Sequence, residues 1–337
     1  MIKEAISKLI EKQDLTMQEA ESVMDEIMSG KATDAQIAGF LVALRLKGET
    51  IDEITACAKV MRQKSSRIKP KAHSKLIDVV GTGGDSSGTF NISTTASFVV
   101  AGAGIPVAKH GNKGVSSKSG SADVLSALGI NINLEPKKVE QCIDEVGIGF
   151  MFAPTFHSSM KYAIGPRKEL GIRTIFNILG PLTNPAEAPY ELMGVFSESL
   201  VEPMAEVLGK LGCKHALVVH GNGLDELTIC SKTKVAEYKD NKVNTYEIDP
   251  KDFNIKTASL NDIKGNSPEE NAKITLNILE GKEKGPKRDI VILNAGAAIY
   301  TAGMAKTIKE GIDLAKNSID SGKALEKLNK LKVWTNK

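Results

Sequence analysis

The chain has 337 residues, of which 41% are hydrophobic and 25% are charged. These values fit one large or two ordinary globular domains and exclude disorder, collagen and coiled coil for the whole chain. The formal net charge is only +3, which argues against a nucleic-acid-binding protein because such proteins usually carry a strongly basic face. Four scattered cysteines without a CxxC pair, and an N-terminus without a signal-peptide core, predict a reduced, cytoplasmic protein with no membrane partner.

Residues 1 to about 65 are predicted to be helical. Three capping boxes, each a threonine followed three residues later by Glu or Gln, mark helix starts at Thr16, Thr33 and Thr50. Gly30 and Gly48 follow at positions typical of helix C-termini. No cluster of reactive side chains occurs here, so the pattern favours a packing or dimerisation unit.

From residue 76 onward, short apolar runs alternate with helical patterns, which is typical of an α/β sheet with parallel crossovers. Strands are predicted at 76–80, 105–108, 148–152, 192–196 and 215–220, and helices at 93–103, 122–128, 137–146 and 201–211. Residues 235–238 and 242–248 predict a surface hairpin. Three helices, at 269–279, 289–300 and 308–319, are expected to end the chain. The segment 158–185 is helical, rich in Gly and Pro, and expected to pass back toward the N-terminal unit.

The sharpest local signal is the segment 79–89, VVGTGGDSSGT, in which a strand runs into four glycines before the next helix begins. Glycine backbone amides and a helix N-terminus form an anion site, although an ordinary glycine-rich turn is an equally good interpretation. Thr95 and its neighbours at the helix start add neutral hydrogen-bond donors. Asp85 has three open roles: capping the loop, binding a ribose hydroxyl, or lying near a metal.

A basic loop is predicted at 109–118, KHGNKGVSSK, after the second strand. Positions 86–122 contain no Asp or Glu, which is 122 − 85 = 37 residues. Because α/β proteins bind ligands at the carboxyl ends of their strands, this window predicts a site for a polyanion. His110 is a weak candidate for a general base, and a structural histidine is at least as good an interpretation.

Two further segments carry chemistry. Residues 157–168 hold Arg167, and Arg173 follows; in a chain with only six arginines, these planar cations indicate either a carboxylate ligand or a structural ion pair. The segment 177–185, NILGPLTNP, predicts a hinge or pocket wall. Asp225 and Glu226 follow a predicted strand, and beside a phosphate site such carboxylates suit magnesium, although an Asp-Glu pair is usually just solvated.

Together these segments resemble the anthranilate phosphoribosyltransferase family over essentially the whole chain. The shared motifs, in order, are GTGGD (81–85), NIST (91–94), KHGN (109–112), SxxGSAD (117–123), GPRKELGIRT (165–174), NILGPLTNP (177–185), GLDE (223–226) and LNAGAA (293–298). The resemblance implies transfer of the phosphoribosyl group from 5-phosphoribosyl 1-pyrophosphate (PRPP) to the amine of anthranilate, in tryptophan biosynthesis. The products are N-(5-phosphoribosyl)anthranilate and pyrophosphate.

The resemblance also implies the architecture. We expect a small N-terminal α-helical domain at 1–70, completed by helices from about 160–185. A larger α/β domain at 71–337, with a central mostly parallel sheet flanked by helices, is expected to bind PRPP. The active site then lies between the two domains, and a homodimer forms through the helical domains.

Site residues are carried over from the matching motifs. The PRPP site is predicted to comprise Gly81, Gly84, Asp85, Thr89, Asn91, Ile92, Ser93, Thr94, Lys109, His110, Gly111, Asn112, Lys113, Gly114, Val115, Ser116, Ser117 and Ser121. The anthranilate site is predicted to comprise Gly81, Asn112, His157, Tyr162 and Arg167. Two magnesium ions are expected per monomer, held by Ser93, Asp225 and Glu226. No general base is assigned.

Two positions depart from the family pattern. Lys113 stands where arginine is usual, so charge is kept but two-pronged binding is lost. Asn266 stands where a second glycine is usual, and asparagine tolerates positive φ better than most residues. Two alternatives stay open: a pyrimidine nucleoside phosphorylase, which has no reason for the GPRKELG motif, and a non-catalytic nucleic-acid-binding relative, which predicts a higher positive charge.

Overall fold

The computed structural model describes residues 1–114 and 118–337, and its first part is a bundle of four helices. These are α1 (Ile2–Ile10), α2 (Met17–Met28), α3 (Asp34–Lys47) and α4 (Ile51–Lys64). At Thr16, Thr33 and Thr50 the threonine hydroxyl accepts the N–H three residues on, and the Glu or Gln there accepts the threonine N–H in return. The three predicted capping boxes are therefore confirmed.

The second part is built on a seven-stranded sheet. Its strands are β1 (Ile77–Gly81), β2 (Val107–Gly111), β3 (Ile148–Phe152), β4 (Tyr190–Gly194), β5 (His215–His220), β6 (Thr233–Lys239) and β7 (Lys242–Ile248). The spatial order is β3-β2-β1-β4-β5-β6-β7, parallel from β3 to β5 and antiparallel thereafter. The predicted hairpin is confirmed, and its two turn residues, Asp240 and Asn241, both have positive φ, as a tight two-residue hairpin turn requires.

Eleven further helices are described. They are α5 (Ile92–Gly102), α6 (Ser121–Ala127), α7 (Pro136–Val146), α8 (Ala153–Phe156), α9 (Lys161–Leu170), α10 (Phe176–Leu182), α11 (Val201–Lys210), α12 (Pro268–Leu279), α13 (Pro286–Thr301), α14 (Ile308–Asp320) and α15 (Lys323–Thr335). The prediction that three helices end the chain was wrong, because α15 follows them. Its buried apolar side chains, Ala324, Leu328 and Leu331, are few and separated mostly by polar residues, so the apolar pattern is sparse.

The side chains of successive strand residues pack into two different cores, one on each face of the sheet, because side chains alternate along a strand. On β5, Leu217 and Val219 pack in the core that contains α5 and α13. Ala216 and Val218 pack on the opposite face, in a core that continues into α1–α4. Helix α9 packs against α2 and α3, and α10 against α4. This second core is continuous from the bundle to the sheet, so packing alone does not separate two domains. The domain boundary after residue 70 therefore stays a prediction.

The strand order reverses at the centre of the sheet. From β1 the chain builds β2 and β3 on one side and then returns to build β4 and β5 on the other. Ligands of open α/β sheets bind in the crevice outside the carboxyl ends of the two strands at such a reversal. Here those ends are Gly81 and Gly194, which lie in register. No helix in the described part of the chain is long and apolar enough to cross a bilayer.

Candidate active site

The crevice is occupied by the loop that follows β5. A Cβ atom on Gly194 would overlap the carbonyl oxygen of Asp225, and one on Gly81 would overlap the Asp225 carboxylate. Both strand ends must therefore lack a side chain for this loop to enter the crevice. Gly81 was predicted from sequence to be a site residue, but Gly194 was not, because its only signal was a glycine at the end of a strand.

Asp225 and Glu226 lie in the loop after β5, called the acidic loop below (221–227). Their side chains join this loop to the glycine loop (79–89) and to α5. Asp225 Oδ2 accepts the Gly83 N–H at 2.7 Å, and Glu226 Oε1 accepts the Ser93 N–H at 3.0 Å. Both side chains are partly buried. Desolvation and then repulsion raise their pKa values, with Asp85 acting on Asp225 and Asp225 acting on Glu226. The predicted metal residues, Ser93 included, thus lie together beside the glycine loop.

Two side chains hold the ends of the acidic loop, and neither was assigned a role from sequence. His220 Nδ1 donates to the Val195 carbonyl at 2.8 Å, and its Nε2 accepts the Gly223 N–H at 3.0 Å. These two bonds place the proton on Nδ1. At the other end, Asn294 accepts the Leu227 N–H at 3.0 Å and donates to the Leu227 carbonyl at 2.8 Å. Asn294 lies in the LNAGAA motif, which contributed to the family resemblance although no role had been predicted for its residues.

The glycine loop is fixed at several points. The Thr82 N–H donates to the Gly194 carbonyl at 2.9 Å, and the Thr82 hydroxyl accepts the Phe196 N–H at 3.0 Å. Of the three roles open for Asp85, the structure has it capping the loop, where it accepts the Ser87 N–H and hydroxyl at 3.1 and 2.7 Å. The assignment of Asp85 to the PRPP site stays a prediction.

The start of α5 offers fewer free donors than predicted. The Asn91 amide donates to the Ser119 carbonyl at 3.1 Å, and its oxygen accepts from Ser119 and Asn271. The Thr95 hydroxyl is fully buried and donates to the Asn91 carbonyl at 3.0 Å. Thr95 was therefore wrongly counted as a donor at this terminus, because its side chain folds back onto the preceding turn. Ser93 remains partly exposed beside Glu226.

Lys109 lies within β2, so its placement on a flexible loop was wrong. It is 3% exposed, and its Nζ donates to the Val79 carbonyl at 2.5 Å. Burial lowers the pKa of this ammonium, while Asp78, Glu226 and Asp225 act in the opposite direction. Lys109 therefore adds a buried cation beside Asp225 and Glu226. Its position is more fixed than that of a solvated lysine on a loop.

The loop after β2 is anchored by Asp123. Its Oδ2 accepts the N–H groups of Gly114 and Gly120 at 2.8 and 2.9 Å. The Asn112 carbonyl accepts the Ser121 hydroxyl at 3.2 Å, so two predicted PRPP residues meet here. Three of the predicted PRPP residues, Val115, Ser116 and Ser117, lie outside the described residues.

His110 and His157 form a pair behind the strand ends, with ring centroids 5.0 Å apart. Each ring hydrogen-bonds to backbone at the C-terminal end of α10, His110 to Gly180 within the helix and His157 to Thr183 just after it. Their Nε2 atoms are buried without a partner among the described residues. Burial lowers both pKa values, that of His157 to about 4, so both rings are neutral near neutral pH.

Arg167, on α9, is held by an aromatic ring. Its guanidinium carbon lies 5.0 Å from the centroid of Phe176, and within the described ranges no carboxylate pairs with it. Partial burial lowers the pKa of this guanidinium, which leaves it a partly desolvated cation suited to a carboxylate ligand. Tyr162, on the same helix, contacts Gly30 of the bundle.

Asn266, one of the two departures, does not need the freedom of glycine. Asn266 does not have a positive φ, the backbone conformation that favours glycine. Its side-chain oxygen accepts Lys118 Nζ at 2.8 Å, so it makes a contact that glycine would lack. The neighbouring Thr89, a predicted PRPP residue, forms an isolated antiparallel bridge with Lys264.

Family models and relatives of known name both match this chain over nearly its whole length. Residues 3–65 match the model of the glycosyl transferase family, helical bundle domain, and residues 73–325 match that of the glycosyl transferase family, a/b domain. The anthranilate phosphoribosyltransferase of Acetivibrio thermocellus is 57% identical over 337 residues, which cover 100% of this chain and 97% of that protein. The corresponding enzyme of Alkaliphilus metalliredigens is 56% identical over 98% of this chain and 97% of its own length.

Solved structures agree. The anthranilate phosphoribosyltransferase of Thermus thermophilus superposes with a TM-score of 0.94 at 43% identity and covers 99% of each chain. That of Saccharomyces cerevisiae, in complex with PRPP and Mg, superposes with a TM-score of 0.91 at 28% identity, over 99% of this chain and 98% of that one.

Proposed function

The chain belongs to the anthranilate phosphoribosyltransferase family, and we propose that it transfers the phosphoribosyl group of PRPP to the amine of anthranilate, in tryptophan biosynthesis. One observation supports this most directly. At the strand-order reversal, two carboxylates of one loop hydrogen-bond to a glycine-loop N–H and to the first turn of a helix. An anion-binding loop and hard oxygen ligands in contact are what a magnesium-bound pyrophosphate needs.

We propose that Asp225, Glu226 and Ser93 hold magnesium, with two ions per monomer. Each carboxylate accepts one backbone N–H and so retains further lone pairs for a cation. No cluster of three or more His, Cys, Asp or Glu side chains suited to a metal occurs in the described part of the chain. A partial protein shell fits magnesium, which commonly keeps waters and binds substrate phosphates. The bound metal would neutralise charge on the leaving pyrophosphate.

The remaining donor contacts are assigned to the glycine loop, the α5 start, Lys109 and the loop after β2. Their amides, hydroxyls and ammonium stabilise negative charge as it develops on the departing pyrophosphate. Because they are fixed by the contacts described above, little reorganisation is needed during the reaction. Among the residues of the PRPP set, Gly83 is an addition suggested by its bond to Asp225.

We assign the anthranilate carboxylate to Arg167, with Asn112, His157 and Tyr162 in the same acceptor pocket. The aromatic amine of anthranilate is uncharged near neutral pH and needs little activation. Positioning by Arg167 then contributes more than a strong base. Neutral His110 is compatible with a base, but its Nε2 is buried, so we assign no general base.

Arg167→Ala tests this assignment. We expect the dissociation constant for anthranilate to rise about tenfold or more, because a charge-assisted pair is lost. Binding of PRPP, followed by titration calorimetry, should stay within twofold of wild type. Arg167→Lys is the matched variant, because it keeps charge without the planar fork. An equal loss of affinity for both substrates would contradict the assignment.

The reaction itself is tested by mixing the protein with anthranilate, PRPP and Mg2+ and following the loss of anthranilate fluorescence. A pyrimidine nucleoside phosphorylase would leave the fluorescence unchanged and would consume phosphate with a pyrimidine nucleoside. A non-catalytic nucleic-acid-binding protein would do neither. A cytoplasmic location and the absence of a nucleic-acid partner stay predictions from sequence.

We also propose a homodimer through the helical bundle. Ile10, Leu46 and Ile164 are exposed apolar residues, with 66%, 79% and 55% of their surface accessible. They lie on α1, α3 and α9, and α3 packs against both of the other helices. Size-exclusion chromatography with light scattering should give twice the 36.1 kDa chain mass, and Leu46→Glu should shift it toward the monomer.

A further inference from the structure

Arg173 has no part in the chemistry assigned above, yet its side chain contacts the glycine loop. It lies in the connection between α9, which carries Arg167, and α10. Its Nη2 donates to the Gly84 carbonyl, and its guanidinium carbon lies 4.3 Å from the centroid of the Phe196 ring. An arginine stacked on an aromatic face is held in one plane, so its hydrogen bond has a fixed direction.

These contacts close a ring around the glycine loop. The Phe196 N–H donates to the Thr82 hydroxyl at 3.0 Å, Arg173 stacks on Phe196, and Arg173 donates to Gly84. Gly84 returns to Thr82 through Gly83, and both glycines have positive φ. Two consecutive glycines leave this stretch of backbone with wide conformational freedom in solution. The ring restricts that freedom at the point where the loop turns toward Asp85.

A structural ion pair does not account for Arg173. In the described ranges its guanidinium pairs with no carboxylate, and its side chain is exposed rather than part of the core. Its charge is therefore not neutralised by the protein. It lies beside a loop whose proposed ligand is a pyrophosphate, so the charge favours the same ligand as the loop amides.

We propose that Arg173 is a positioning residue for the phosphoribosyl donor. By holding Gly84 against the Phe196 platform, it preorganises the glycine loop for the pyrophosphate group of PRPP. The proposal rests on the proposed function, because it assumes that this loop binds the donor. It predicts a selective effect on the donor, in contrast to Arg167, whose effect should fall on the acceptor.

The test compares Arg173→Ala, Arg173→Lys and Phe196→Leu with wild type. Lys316→Ala is the control, because it removes an exposed positive charge of α14 away from the crevice. The measurements are KM for each substrate, the dissociation constant of magnesium pyrophosphate by calorimetry, and Tm. Arg173→Ala should raise the donor KM and the pyrophosphate dissociation constant about tenfold, which corresponds to loss of one charge-assisted hydrogen bond. The anthranilate KM should stay within twofold.

Arg173→Lys should recover only part of the donor affinity, because lysine keeps the charge but cannot stack in a fixed plane. Phe196→Leu should weaken the donor by a smaller factor in the same direction. The proposal is overturned if Arg173→Ala leaves donor KM and pyrophosphate binding within twofold of wild type, or weakens both substrates equally with a fall in Tm. Absence of turnover in wild type would contradict the proposed function, while the pyrophosphate titration would still test Arg173.

Discussion

Two acidic pairs lie on the same sheet and have different surroundings. Asp225 and Glu226 occupy the loop after β5 and keep partial access to solvent. Asp78 and Glu191 lie in register on β1 and β4, and they are 0% and 1% exposed. Desolvation is the largest cause of a raised pKa in all four carboxyls. The pairs therefore share a pKa direction and differ in position along the strands.

Within the interior pair, protein groups hydrogen-bond to Asp78, whereas Glu191 Oε1 is buried without a partner among the described residues. Asp78 accepts from the Asn184 amide at 2.6 Å and from the His110 N–H at 3.3 Å. Asn184 also donates to the Ala108 carbonyl at 2.8 Å, in a region where β1 and β2 pair only at Ile77 and Val107. Side chains thus replace part of the backbone ladder between two strands. This explains Asn184, the penultimate residue of the NILGPLTNP motif, as a structural residue.

The strand-end pair receives one backbone N–H per carboxylate and opens onto the crevice. The comparison shows that a raised carboxyl pKa does not by itself identify a ligand site. Position decides between the roles, because only the strand ends can reach a ligand at the reversal of strand order.

Asp225→Asn with Glu226→Gln should lower magnesium-dependent turnover by about a thousandfold or more, because a metal and its charge stabilisation are lost. The Tm should change little, because relief of the repulsion between the two carboxylates offsets the loss of their attraction for Lys109. Initial rates from anthranilate fluorescence and a thermal melt measure the two effects. Wild-type activity in the double variant would remove these residues from the metal site and erase the contrast between the pairs.

Gly194→Ala should reduce turnover about a hundredfold, because the added methyl displaces the Asp225 loop from the crevice by overlapping its backbone. Overpacking of this kind costs about 1–3 kcal/mol of stability, measurable by urea unfolding. Gly39→Ala is the matched control, because its Cβ would lie 3.5 Å from Ile6 in ordinary contact. Equal activity in the two variants would show that the loop does not depend on close approach to β4.

Glu191→Gln should flatten the pH dependence of stability without changing the response to magnesium. The raised pKa of Glu191 means that the folded state binds a proton that the unfolded state has released. Stability therefore falls as pH rises from the ordinary carboxyl range toward the raised pKa, by about 1.4 kcal/mol per pH unit. Urea unfolding between pH 4 and pH 8 measures this slope.

Magnesium pyrophosphate separates the two contributions in the same experiment. A bound cation favours ionised Asp225 and Glu226 and should reduce their share of the slope, whereas the Glu191 share should persist. If Glu191→Gln leaves the slope unchanged, or if magnesium pyrophosphate removes all of it in wild type, the interior pair does not titrate as a separate unit.

Local structure was well predicted because its causes lie within a few residues. The capping boxes at Thr16, Thr33 and Thr50 are hydrogen bonds between residues three apart, and each forms as expected. The strands and hairpin follow from apolar runs and turn residues. The motifs identified the family by their order. What failed locally were sparse signals, such as α15, and the end of β2, where Lys109 is polar yet buried.

The sequence alone therefore determined the helical start, the α/β class, the glycine loop and the family with its reaction. Only the tertiary structure decided that Gly83 meets Asp225, 142 positions away, that Gly194 must be a glycine, and that Arg173 reaches Gly84. It also decided that Asp78 and Glu191 lie side by side on adjacent strands inside the sheet. The physical reason is range, because capping and periodicity act between neighbours, whereas these contacts exist only once the strand order brings distant loops to one edge.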